Sequence, residues 1–307
     1  MANAPKIAGQ EAKAKFGWLY SHRFLLLRRI AQLLVLTMFV SGPLFGVWIL
    51  RGNYSSSRFL DLIPATDPFI FLQGLMAAYW PTVVTVLVGA LIIILVYGLL
   101  AGRLYCSWVC PFNPVTDFAS WCRRKLGIQA GLTISNKLRY AILVGVLLGC
   151  FATGVVIWEW INPVSITGRG LITVAGELGK ADKLTFMSFW QLLAFSFGAG
   201  AWLLLAIFIF DLLVVKNGWC GHLCPMGALY ALIGSKGALY LDAQRRQDCT
   251  NCMDCINVCP EPQVLPKPLF AKQESTLIAS SECTRCGRCI DVCPEKVFAV
   301  KVTFSKK

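Results

Sequence analysis

Two short runs of cysteine carry the most specific chemistry in the chain. Cys249-x2-Cys252-x2-Cys255-x3-Cys259-Pro260 and Cys283-x2-Cys286-x2-Cys289-x3-Cys293-Pro294 share one spacing, proline included. Three thiolates this close on one loop can reach three irons of a single cubane, while the fourth, three residues on, points toward a neighbouring one. The spacing predicts two adjacent 4Fe-4S clusters with crossed ligation. Cys249, Cys252, Cys255 and Cys293 would hold one, and Cys283, Cys286, Cys289 and Cys259 the other. Structural zinc is the competing reading, but zinc sites usually join C-x2-C units through a longer spacer. Two adjacent clusters read as an electron wire rather than as structural staples alone.

A second pair of motifs is Cys106-Ser-Trp-Val-Cys110-Pro111 and Cys220-Gly-His-Leu-Cys224-Pro225, each followed by a short, largely apolar stretch, 112–121 and 226–233. They read as an internal repeat. If the halves pack side by side, two plus two thiolates could complete a third iron-sulfur cluster. A zinc site, a pair of redox-active dithiols and buried cysteines beside helix-breaking prolines remain open alternatives. His222 is expected to be a hydrogen-bonded cap rather than a ligand. Cys122 and Cys150 lack a partner spacing and read as packing residues.

The elements that must position these thiols are apolar. With 56% hydrophobic and 15% charged residues, the chain has too little charged surface for an ordinary soluble domain. Fourteen cysteines in a small secreted domain would mean disulfides, yet eight sit in metal-ligand runs. Four segments, 30–50, 81–102, 140–158 and 184–210, are free of Asp, Glu, Lys and Arg and approach the roughly 20 residues that a helix needs to cross about 30 Å of hydrocarbon. The net charge of +13 does not mark a nucleic-acid binder, because the basic residues alternate with the spans: six, two, six, three and twelve in successive polar segments. By that pattern both termini and the 103–139 loop face the cytoplasm, and 51–80 and 159–183 face outward. Trp48, Trp80, Trp158 and Trp160 then fall at the outer interface, and 68–79 reads as an interfacial or re-entrant stretch. The first twenty residues lack an apolar signal core, so the N-terminus is expected to be retained.

The expected fold is therefore an α-helical membrane protein. Residues 1–29 form a basic cytoplasmic segment, 30–240 four transmembrane helices in two pseudo-repeated pairs with both C-x3-C-P motifs on the cytoplasmic side, and 241–307 a cytoplasmic α+β two-cluster ferredoxin-like domain. So short a domain cannot bury much core without the clusters to staple it.

The segments SHRFLLLRR, SGPLFGVWILRGNYSSS, CSWVCPFNP, IWEWINPVS and WCGHLCPMGALY, together with the two ferredoxin runs, resemble the NapH family of membrane quinol dehydrogenase components associated with periplasmic nitrate reductase. The resemblance covers nearly the whole chain. It implies oxidation of menaquinol or ubiquinol in the bacterial inner membrane, a NapG-like periplasmic ferredoxin-type partner, and onward delivery to a membrane-anchored multihaem cytochrome c or to the reductase. Charge counting puts the clusters in the cytoplasm while that reductase is periplasmic. Either electrons cross through the C-x3-C-P pair or the cytoplasmic clusters serve another donor or a regulatory purpose.

A quinol site needs an apolar slot, partners for two hydroxyls and a proton acceptor. Two carboxylates are candidates: Glu159, between Trp158 and Trp160, and Asp211, just past the fourth span, where an ion pair with Lys216 or with an arginine before the first span is the leading expectation. His22, Arg28 and Arg29 are further polar groups at the inner side. The alternative function is a copper reductase or oxidase-assembly factor, but the outward segments offer a copper ion only Met76. A redox sensor would need an output module, and no G-x-G-x-x-G unit follows a strand pattern, which speaks against a pyridine dinucleotide.

Overall fold

The computed structural model of the chain describes residues 8–78, 84–128, 131–132, 134–180, 198, 200–271 and 275–303. Among these, one helix is by itself long and apolar enough to cross a membrane: α2, Arg23–Phe45, which follows α1, Gln10–Tyr20. It begins seven residues before the predicted 30–50 span, because Arg28 and Arg29 need not end a helix when both are paired, at 2.9 and 2.5 Å, to Asp117. It stops at Phe45, where Gly46 takes φ +74°, a left-handed C-terminal cap that suits glycine.

The outward loop expected at 51–80 is instead structured. Strands β1 (Leu50–Gly52), β2 (Ser56–Phe59) and β3 (Ile63–Thr66) form an antiparallel sheet in which Leu50 opposes Phe59 and Ser57 opposes Ala65. Asn53 makes the first turn by accepting from the backbone N–H groups of Ser55 and Ser56, at 3.0 and 2.9 Å. The short polar segments hid this from a reading tuned to spans. Helix α3, Pro68–Met76, follows at once, with Asp67 as its N-cap and proline at its first position. It is the short re-entrant candidate of 68–79, with Phe69 and Gln73 fully buried.

Helix α4, Val84–Leu99, packs against β3, with Thr66 lying against Gly89 where a Cβ would collide. At 16 residues it is about 24 Å long. Helices α5 (Leu104–Trp108) and α6 (Asn113–Lys125) carry and follow the first C-x3-C-P motif. Helix α7, Leu138–Thr153, is the third apolar helix, and after a glycine cap α8 (Trp158–Ile161) leads into α9 (Pro163–Lys180), which lies along α2. Of the predicted fourth span, Gly200–Ile209 forms α10 and runs into a wider π-helical turn at Phe210–Val214. Residues 184–197 of that span, and Trp80 and Pro81, lie outside the described residues. Trp158 is not interfacial: it is 3% exposed, against Phe69 and Trp219, whereas Trp160 is 77% exposed.

A second π-helical turn, Trp219–Leu223, holds the next motif, and Pro225 opens α11, Pro225–Ile233. The polypeptide then enters the C-terminal domain through β4 (Leu239–Asp242), antiparallel to β5 (Ala299–Val302). The domain thus starts at 239, two residues before the composition changes, since a strand buried against its own domain is as apolar as what precedes it. Ala238 and Leu239 donate backbone N–H groups to Leu99 and Leu100 at 2.8 and 2.9 Å, tying β4 to the end of α4. The N-terminal segment is likewise part of this domain's surroundings. Gly9 donates to Asp254 at 2.9 Å, Lys15 pairs with Glu295 at 2.6 Å, and Asp291 accepts from Phe24 and Leu25 at the start of α2, at 3.1 and 3.2 Å. A carboxylate at that position opposes the partial positive end of the helix.

The backbones at Gly102 and at Tyr230 to Gly234 touch, leaving no room for a Cβ on Gly102. A Gly102→Ala variant is expected to lose about 3 kcal/mol or more, read as a lower Tm and a reduced yield of folded protein in detergent, while Gly74→Ala, where nothing approaches, leaves both unchanged.

Candidate functional site

The eight ferredoxin cysteines gather into two sets. One cavity is lined by Cys249, Cys252, Cys255 and Cys293, the other by Cys259, Cys283, Cys286 and Cys289. In each, the fourth thiol comes from the opposite run, which is the crossed arrangement the spacing implies. The two loops curl in the same way. Asn251 and Met253 in one, and Arg285 and Gly287 at the corresponding places of the other, all take positive φ. The short helices α12 (Asp254–Val258) and α14 (Arg288–Val292) then turn the fourth cysteine of each run toward the neighbouring set, with α13 (Pro266–Phe270) between them in sequence. The thiols ring a cavity instead of converging on a point, a donor set that fits a cubane better than a single ion. Cys283, Cys286, Cys289 and Cys293 are buried, whereas Cys249, Cys252, Cys255 and Cys259 are half-buried beside the exposed Met253 and Phe270. The cavity of the first run therefore lies nearer the surface.

Cys106 lies on α5, Cys110 just past it, Cys220 in the second π-helical turn and Cys224 at the N-cap of α11. The fold brings the two motifs together, close enough that charge on Cys106 and Cys224 is felt at Cys110, and charge on all three at Cys220. Asp211 shapes this region. It accepts from the Trp219 backbone N–H at 2.8 Å, fixing the turn that presents Cys220. The expected pair with Lys216 does not form: Lys216 donates to the Asn257 carbonyl at 2.8 Å, because the turn points its chain toward the ferredoxin domain. His222 is not a cap either. Its Nδ1 is buried with no hydrogen-bond partner, and burial lowers its pKa, favouring the neutral ring. Cys150 is fully buried, its Sγ 3.7 Å from Gln73, and Cys122 is half-buried.

Two arginines that the sequence reading passed over join the motifs to the domain. Arg103 binds Glu261, and also the Glu282 carbonyl at 2.7 Å and the Cys220 carbonyl at 3.0 Å. Arg139 pairs with Glu261 at 2.8 Å and with Glu282 at 2.6 Å, and donates to the Gly221 carbonyl at 3.0 Å. Arg103, Arg139 and Glu261 are at most 2% exposed. Burial works against the Glu282 carboxylate, but Arg139 and Gln263 outweigh it and hold its pKa below the ordinary range. Ser107 and Trp108 add hydrogen bonds to the Thr284 and Arg285 carbonyls at 2.7 and 3.2 Å. The cavity of Cys259, Cys283, Cys286 and Cys289 is therefore the one that abuts the C-x3-C-P pair. The signal in the sequence was only the position of Glu261 and Glu282 beside ligand cysteines.

Glu159 is half-buried at the far end of the helical part, where it accepts from Ser55 Oγ at 3.1 and 3.2 Å. Ser55 Oγ in turn lies 2.9 Å from Ser165 Oγ, and its carbonyl accepts from the Asp67 backbone at 2.9 Å. Asp67, which the sequence reading missed, is buried and accepts from the Tyr230 hydroxyl at 3.3 Å. Its signal was the run Asp67-Pro68-Phe69, a helix start too short to count as a span.

Comparison with known proteins gives iron-sulfur families over both cysteine regions. A family described as a 4Fe-4S binding domain matches residues 82–129 and 187–240, one C-x3-C-P motif in each, and a 4Fe-4S dicluster domain matches 248–297. The chain is similar to the ferredoxin-type protein NapH of Haemophilus influenzae, 52% identical over 92% of this chain and 90% of that protein, and to NapH of Escherichia coli, 50% identical over 99% and 98%. It is 44% identical, over 94% of both chains, to the methylamine utilization ferredoxin-type protein MauN of Paracoccus denitrificans. No solved structure matches.

Removing Glu261 takes from buried Arg103 its carboxylate partner and from buried Arg139 one of its two. Glu261→Ala is expected to cost about 3–5 kcal/mol, measured as a fall in Tm and as faster tryptic release of the C-terminal domain, with exposed Lys267→Ala on the same domain as a near-silent control.

Proposed function

The chain belongs to the NapH family of ferredoxin-type proteins, iron-sulfur carriers of electrons, and on that premise we propose that it oxidises membrane quinol and passes the electrons on toward a periplasmic nitrate reductase. The observation that carries this reading is the contiguity of the two cysteine regions. Arg103 and Arg139 reach from the ends of apolar helices to Glu261 and Glu282, which flank ligand cysteines. The apolar helices and the ferredoxin domain therefore form one body.

In this reading Cys249, Cys252, Cys255 and Cys293 hold one 4Fe-4S cluster, Cys259, Cys283, Cys286 and Cys289 a second, and Cys106, Cys110, Cys220 and Cys224 a third iron-sulfur centre at the membrane. When bound, these groups supply one-electron carriers for a two-electron donor. The protein's own contribution is to fix and insulate the sites. Asp211 sets the Cys220 turn, Pro111 follows the end of α5 at Cys110 and Pro225 starts α11 at Cys224, and the arginines place positive charge beside thiolates that would otherwise accumulate negative charge in an apolar setting. The duplicated match over 82–129 and 187–240 supports the third site, since a structural repeat brings two equivalent cysteine pairs to one place.

The charge alternation supports a multi-pass inner-membrane protein with both termini cytoplasmic, α2, α4, α7 and the apolar segment that includes α10 being the four spans. A NapG-like ferredoxin-type protein and a membrane-anchored multihaem cytochrome c are the proposed partners on the outer side. The likeness to MauN, whose name places it in methylamine utilization, supports the helical part and its clusters as a common electron-carrying core with partners that differ.

Anaerobic purification in detergent with iron and sulfide counts is the first test. More than eight irons per chain are expected, falling to eight in a Cys106→Ser, Cys220→Ser double variant. Electron paramagnetic resonance should show the centres reduced by a menaquinol analogue. Reduction by a soluble low-potential donor but not by quinol would sink the quinol reading.

A further inference from the structure

The interior polar groups that remain unused by the cysteine sites sit together. Asp67 is 7% exposed, and its carboxylate caps α3 by accepting from the Phe69 N–H at 3.3 Å as well as from the Tyr230 hydroxyl. Tyr230 stacks on Tyr105, with ring centroids 4.9 Å apart and planes 8° apart, and Tyr97 meets both edge-on. Tyr105 precedes Cys106 directly, and at its hydroxyl the charges of Cys110, Asp67 and Tyr54 are all felt. The hydroxyls of Tyr54 and Tyr105, on side chains at least nine-tenths buried, have no hydrogen-bond partner among the described residues. Buried unpaired hydroxyls are costly unless a ligand or water completes them. Tyr105 lies within electrostatic reach of both the buried Asp67 carboxylate and Tyr54, beside the C-x3-C-P thiols. That is the inventory a two-hydroxyl ligand requires.

We propose that Asp67 is the base that takes protons from quinol, with Tyr230 holding its carboxylate and the Tyr54 and Tyr105 hydroxyls receiving the quinol oxygens. The proposal rests on the quinol reading above and specifies its site. Quinol loses two protons and two electrons. Each O–H bond breaks with its proton going to the Asp67 carboxylate, and the two electrons would leave one at a time through the iron-sulfur group that Cys106, Cys110, Cys220 and Cys224 would hold, a one-electron acceptor when bound. Between the two events Asp67 must be emptied. Its neighbour Ser55 contacts Glu159 at 3.1 Å, and the charge of Glu159 is felt at Asp67. The proton then leaves Asp67 for solvent; Asp67, and not Glu159, is the primary acceptor, and Glu159 is a carboxylate whose charge reaches it from the end of the molecule that the charge pattern turns outward.

The test uses full-length protein in lipid nanodiscs. Asp67→Asn keeps a capping side chain but cannot take a proton. Reduction of the iron-sulfur absorbance by a short-chain menaquinol, followed by stopped flow, should slow by about 10²- to 10⁴-fold, with iron content and dithionite reduction as in the wild type. Equilibrium titration with a fluorescent hydroxyquinoline N-oxide should show about tenfold weaker binding to Asp67→Asn and to Tyr105→Phe. Wild-type rate and wild-type binding in Asp67→Asn would overturn the assignment. If Asp67→Asn loses iron, Tyr230→Phe carries the test: at least tenfold slower reduction is expected, and an unchanged rate rejects the proposal. A wild-type protein that dithionite reduces and menaquinol does not would remove the quinol reading itself.

Discussion

Two buried arginines hold the molecule together. Arg103 and Arg139, each at most 1% exposed, would be intolerable in an apolar setting without carboxylates to meet them. Glu261 and Glu282 come from the ferredoxin domain, more than a hundred residues away in sequence. The apolar helices therefore have their charge requirement satisfied only when the domain is seated, and the domain is seated with one particular cavity, that of Cys259, Cys283, Cys286 and Cys289, facing the C-x3-C-P pair. Orientation and stability follow from the same contacts. A hydrophobic interface of similar area could slide; a four-point set of ion pairs and carbonyl hydrogen bonds cannot.

The same logic recurs on the other side of the domain. Asp291, fully buried, receives the first backbone N–H groups of α2 and pairs with Arg288 at 2.9 Å. Asp254 receives the N–H of Gly9. Thus the orphan donors at helix starts and the orphan cations at helix ends are both answered by carboxylates of one small domain. Farther up, Asp67 and Trp158 perform a comparable task among themselves, Asp67 opening α3 and the Trp158 N–H binding Gln73 at 3.1 Å. Non-helical backbone is tolerated at that depth because it is enclosed by protein.

The grouping of the ferredoxin cysteines around two cavities was legible in the sequence because spacing is local. Spacing within each run fixes which thiols share a loop, and a short helix turns the fourth thiol toward the other set. The apolar helices were legible in kind, though α2 was displaced because charge was taken as a terminator, and Asp117 removes that constraint from Arg28 and Arg29. What could not be read was every feature set by a distant partner. The 50–66 sheet carries too few apolar residues to announce itself. Trp158 looks interfacial until Trp219 and Phe69 are seen to cover it. Asp211 looked like half of an ion pair, yet it serves the backbone of Trp219. Asp67 carried a capping signal, Asp followed by Pro, but nothing in the local sequence tells that the capped helix lies inward, beneath Tyr230.

The span in sequence between the partners of these contacts has a consequence for how the protein comes into being. Arg103 and Arg139 leave the ribosome long before Glu261 and Glu282 do, and α1 likewise precedes its partners Asp254 and Glu295. During synthesis the helical part carries unanswered cations, and only completion of the C-terminal domain neutralises them. The order of synthesis thus places the apolar helices before the carboxylates that answer their arginines. A polypeptide whose tail has not matured differs from a finished one in exposed charge, a difference that cellular surveillance can read.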